Sequence, residues 1–115
     1  MNASPIDLAT FAELQDAMGP EFTLELVDTF LEESPGILAD LRTALAEGDV
    51  DGYRRAAHSL KSNCNTFGAL LLASAAREIE LGGFSGDAGS DGLAVDALVA
   101  DYADVASALS ELARG

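Results

Sequence analysis

The chain has no tryptophan, a single cysteine, a single histidine, and six lysines and arginines against 20 aspartates and glutamates. Each scarcity excludes something. Cys64 alone cannot form an internal disulfide, which suits a reducing compartment and leads us to expect a cytoplasmic protein. One histidine and one cysteine are too few for a closed zinc ligand set, so no metal site is expected. No apolar run reaches the ~18 residues of a membrane span. Residues Met1 to Pro5 lack the basic start and apolar stretch of a secretory signal. The formal net charge of −14 argues against nucleic acid and anionic membrane as partners, because both need basic surface to displace their counterions.

What is present fits one small domain. The length of 115 residues leaves no room for a second sizeable core, and 49% of the residues are apolar. Alanine and leucine dominate while β-branched residues are sparse, so the reading is helical nearly throughout. A short lead helix is expected near Leu8–Met18 within a lead segment of residues 1–19. Further helices are expected near Pro20–Glu33, Pro35–Glu47, Val50–Asn65, Ala69–Leu81 and Leu93–Ala113. Pro20 and Pro35 suit the first position of a helix, and Ser34 suits an N-cap. Gly19, Gly48, Gly68 and Gly82 suit helix ends. The glycine-rich stretch 82–92 has neither the preceding strand nor the Gly-Lys-Ser/Thr of a phosphate-binding loop, and reads as a flexible helix connection. Stripes such as Val95, Leu98, Tyr102, Val105, Leu109 and Leu112 are core faces. The expected fold is all-α, an antiparallel up-and-down four-helix bundle with one or two additional N-terminal helices.

Charge is unevenly placed. From Tyr53 to Arg77 there is no acidic residue, yet Arg54, Arg55, Lys61 and Arg77 lie there with His58; every acidic side chain lies outside that window. On a helical wheel starting at Tyr53, the residues Ala57, Leu60, Cys64 and Phe67 cluster within about 40°, which defines a buried stripe. His58 falls at about 140°, and Arg54, Lys61, Ser62 and Asn65 lie between about 80° and 180°. The histidine is therefore expected to be exposed, with two cations as neighbours. An ordinary solvated face remains one reading of this pattern. Acyl chemistry fits poorly, because no Ser or Cys is spaced with His58 and an acidic orienter. An imidazole that accepts a phosphoryl group fits better: its neutral form attacks, and neighbouring cations favour that form and then stabilise the transferred oxygens.

The stretch Ala57-His58-Ser59-Leu60-Lys61-Ser62-Asn63-Cys64-Asn65-Thr66-Phe67-Gly68-Ala69 resembles the signature of histidine-containing phosphotransfer (HPt) domains. Leucine stands two residues after the histidine, lysine three after, a small residue four after, and a Gly-Ala pair opens the next helix. Leu72, Ala76, Ile79 and Glu80 continue the resemblance. It implies that His58 carries the phosphoryl group, that Lys61 contacts its oxygens, and that Glu80 accepts a hydrogen bond from the inner ring nitrogen and orients the histidine. Ser62 would keep the approach open for a partner, and Asn65 and Gly68 would belong to the docking surface, as would Arg54 from the wheel. Asn63 and Asn65 stand where smaller residues are common.

The resemblance further implies a carrier without a nucleotide site, not an enzyme, that exchanges phosphoryl groups with response-regulator receiver domains or a hybrid sensor histidine kinase. No cofactor is expected on this chain; Mg²⁺ would sit on the receiver. A monomer is the default for a bundle this small. The alternative is a non-catalytic helical module that docks a receiver or kinase without phosphotransfer.

Overall fold

In the computed structural model, residues 5–82 and 84–114 are described, and among them there are five helices and no strand. They are α1 (Leu8–Met18), α2 (Pro20–Glu47), α3 (Val50–Phe67), α4 (Leu70–Gly82) and α5 (Ala88–Arg114). The last four pack in a ring: α2 against α3, α3 against α4, α4 against α5, and α5 back against α2. Their short connections make neighbours antiparallel. This is the expected up-and-down bundle, with α1 as the one additional N-terminal helix, resting on α2 and α3.

Local signals start and stop these helices. Asp7 caps α1 by accepting from the Thr10 amide, and Asp49 caps α3 by accepting from the Gly52 amide at 3.0 Å. Pro20 opens α2, and Gly48 closes it in the left-handed conformation. The apolar faces then meet in one core. Phe30 of α2 lies at its centre, with ring centroids 5.2 Å from Phe67 and 5.8 Å from Tyr102, so three helices share one aromatic cluster.

Two expectations about boundaries are overturned. Pro35 does not begin a helix; it lies inside α2, which runs unbroken for 28 residues. Ser34 is accordingly no N-cap. It is buried and donates its hydroxyl to the Phe30 carbonyl one turn back, at 2.6 Å. The helix continues because Phe30, Ser34, Leu38 and Leu41 form one buried face across the proline. Burial of that face outweighs the lost amide. The segment at Pro20–Glu33 is thus the first half of a bundle helix and not a separate helix.

The second correction concerns the glycine-rich connection. α5 begins at Ala88 rather than Leu93, so Gly89 and Gly92 are helical. Asp87 nucleates this earlier start, its carboxylate accepting from the Gly89 and Ser90 amides at 3.1 and 3.4 Å. Those bonds hold its carboxyl below the usual range. Asp91, buried, receives the Ser85 amide at 2.9 Å and the Ser85 hydroxyl at 2.7 Å. Phe84 packs edge-on against Tyr53, with centroids 5.4 Å apart. The described part of the connection is therefore tied down at two points.

Candidate functional site

The site is built on α3, whose two faces differ as the wheel predicts. Tyr53, Ala57, Leu60, Cys64 and Phe67 are buried. His58 lies on the other side with its side chain 57% exposed. Arg54, Ser62 and Asn65 are exposed as well. Arg54 and Arg55 make no ion pair among the described residues, so their charge is available at the surface.

The antiparallel α3–α4 hairpin brings Glu80 across to this face. His58 Nδ1 lies 2.8 Å from Glu80 Oε2, and Lys61 Nζ donates to Glu80 Oε1 at 2.7 Å. The carboxylate is thus shared between two residues one turn apart on α3. The Lys61 ammonium, with His58 in support, holds the Glu80 carboxyl below its ordinary range against the opposing effect of partial burial. An ionised carboxylate only accepts, so the bond places the ring proton on Nδ1. Nε2 is then left with its lone pair and points away from Glu80.

Glu80 is therefore not a free surface carboxylate, and Lys61 is engaged with it in this state. Lys61 is itself only 23% exposed; its stem lies along the hairpin while its charge stays at the site.

Gly68 is placed differently from expectation. It caps α3 with φ +80° and is buried, and its carbonyl accepts from the Asp7 amide at 2.7 Å. A Cβ there would stand 2.9 Å from the Asp7 carbonyl oxygen. The glycine is needed for the turn and for the close approach of α1. It offers no surface to a partner, so it does not belong to a docking face.

On the side of His58 away from Glu80, an open groove runs between α2 and α3. Glu32, Glu33, Gly36, Ile37 and Asp40 line it from α2, and His58, Ser59, Ser62 and Asn63 from α3. The sequence reading missed the α2 wall because a helix boundary at Ser34–Pro35 breaks that face in two. The i, i+4, i+8 spacing of Glu32, Gly36 and Asp40 would have shown it once the helix was read as continuous.

Among the described residues, no group of three or more His, Cys, Asp and Glu side chains is placed to hold a metal ion. Cys64 is buried, and burial pushes its thiol up to about 12, which keeps it protonated and unreactive. No helix among the described residues is long and apolar enough to cross a membrane.

The geometry can be set beside known proteins. The family model for the Hpt domain matches residues 25–114. Among solved structures, the chain is similar to histidine-containing phosphotransfer protein B (HptB) from Pseudomonas aeruginosa PAO1. The sequences are 28% identical, the TM-score is 0.88, and the match covers 98% of this chain and 97% of the other. No curated protein matches the sequence.

Proposed function

The chain belongs to the Hpt domain family, and from that premise we propose that it carries a phosphoryl group on His58, exchanged with the aspartate of response-regulator receiver domains. HPt proteins are phosphotransfer carriers in phosphorelays rather than kinases. The observation that carries the assignment to His58 is the pairing of its Nδ1 with Glu80, on an exposed face of α3.

The chemistry follows from that pairing. The Nε2 lone pair attacks phosphorus in line with the aspartyl oxygen. The N–P bond forms as the O–P bond breaks, and the electron pair of that bond returns to the receiver's carboxylate. The Nδ1 proton stays in place, so positive charge develops on the ring, and the Glu80 carboxylate stabilises it. Lys61, held beside Glu80, turns its ammonium toward the phosphoryl oxygens as they arrive. The reverse step uses the same groups. Exposure of His58 is what allows a receiver pocket to close over it, and Ser62, one turn on, leaves that approach open. Arg54 and Asn65 extend the docking face. The Mg²⁺ and the acidic pocket belong to the receiver, and the arginines of α3 draw that pocket in. A hybrid sensor kinase that ends in a receiver domain would be a donor of the same kind.

The test is phosphoryl transfer from phosphorylated receiver domains of the same organism, with wild type and His58→Gln side by side. Acid-labile label is expected on wild type and absent from the variant. A folded wild type that takes label from no receiver, or a variant that still takes it, sinks the assignment.

A further inference from the structure

The groove between α2 and α3 is lopsided in a way the transfer step does not require. On the α4 side of His58, the carboxylate of Glu80 is matched by Lys61. On the α2 side, Glu32, Glu33 and Asp40 line the groove with no ion pair among the described residues. The α3 wall opposite them presents Ser59, Ser62 and Asn63, which carry no charge. The groove is also left open at Gly36, where an added Cβ would meet nothing within 4 Å. Glycine in a helix interior weakens the helix, and no packing constraint here requires it.

We propose that this groove is the selectivity surface of the carrier, and that it takes a lysine- or arginine-bearing segment of the receiver laid over Gly36 beside His58. The inference rests on the phosphocarrier reading and names the chemistry of its partner. A metal ion is a poor occupant, since the carboxylates are not grouped as ligands. A second copy of this chain is a poor one too, because each carries a net charge of −14 and the copies repel. A basic segment meets Glu32 and Glu33, which make no ion pair among the described residues, and Asp40, which shares the adjoining cavity with Arg55. The groove is continuous with His58, where the receiver must dock. The difference in charge across His58 then fixes the receiver's orientation: its acidic pocket faces Arg54 on the exposed face of α3, and its basic segment faces Glu32 and Glu33 of α2. Receivers without such a segment leave Glu32, Glu33 and Asp40 unmatched and dock slowly.

The experiment measures second-order transfer rates from a panel of phosphorylated receivers to three chains that all retain His58. These are wild type, the triple variant Glu32→Gln/Glu33→Gln/Asp40→Asn, and Gly36→Leu. At low salt, the receiver fastest with wild type is expected to slow roughly tenfold with the triple variant, and the gap is expected to shrink as salt is raised. Gly36→Leu, which fills the groove, is expected to slow the same receiver roughly tenfold at every salt concentration without lowering the melting temperature. A triple variant as fast as wild type, or faster, overturns the proposal. So does a Gly36→Leu chain that transfers normally. If wild type itself takes label from no receiver, the carrier reading fails and this one with it. Normal transfer by wild type with unaffected variants removes the selectivity surface alone.

Discussion

Along one side of α3, Tyr53, Ala57, Leu60 and Cys64 are excluded from solvent entirely, while four residues from Arg54 the same helix presents His58 more than half exposed. The buried side is held by packing: its residues touch α2, α4 and the aromatic cluster, and each has one place to be. The exposed side is held by charge. His58 is more than half exposed and is bonded to Glu80, which in turn is bonded by Lys61. One helix thus combines a face that resists change with a face whose geometry depends on two hydrogen bonds to a single carboxylate. If His58 is the acceptor, as proposed, stability and phosphoryl transfer are separable because they use opposite sides of α3.

Substitutions on each side should behave accordingly. The largest effect on folding is expected from Leu60→Ala, which empties a fully buried position and should cost about 2–5 kcal/mol in denaturant unfolding. Gly68→Ala comes next: the strained backbone at φ +80° and the close approach to the Asp7 carbonyl should cost about 1–3 kcal/mol, read by the same melts. Glu80→Gln should lower the melting temperature slightly near neutral pH and slow phosphoryl transfer roughly tenfold or more, since a charged hydrogen-bond partner of His58 is lost. It should also remove a pH dependence. The Glu80 carboxyl titrates below its ordinary value of 4.5 in the folded chain. Its favourable contribution is therefore present above that value and lost as pH falls through the folded one. Acid unfolding of wild type and variant should converge at the bottom of that window. The smallest response is expected at Cys64, whose thiol is raised to about 12. Iodoacetamide at pH 8 should label it only at the rate at which the whole chain unfolds. Labelling faster than unfolding would show that the buried side is looser than its packing implies.

The amphipathic helix at α3 was legible in the sequence because its periodicity is sharp and its polar side carries one sign of charge. Tyr53, Ala57, Leu60 and Cys64 fall inward and His58 outward, as the wheel places them. Glu80 was legible only through resemblance. Nothing local to residue 80 marks it, and its contact with His58 spans 22 residues of chain. The boundaries that failed did so for a common reason. Ser34-Pro35 has the local chemistry of a helix start, and Gly89 and Gly92 that of a loop. At Ser34 the deciding interactions come from a long buried face, which a reading of neighbours along the chain does not see. At Gly89 they are local, since Asp87 caps the helix from two residues away, a signal that the surrounding glycines masked. Gly68 looked like part of a surface motif, and only the approach of α1 shows that it is a hinge pin of the core.

The uninterrupted α2 has one more consequence. Its 28 residues make a rod of about 42 Å, which matches the 43 Å long axis of the whole molecule. It packs against α1, α3 and α5, so none of these three can come away without loosening the same rod. Two shorter helices meeting at Pro35 would have allowed the halves to open one at a time. With one rod, amide exchange in the two halves should report a single opening event, and the face around His58 inherits its rigidity from contacts made at the far end of the molecule.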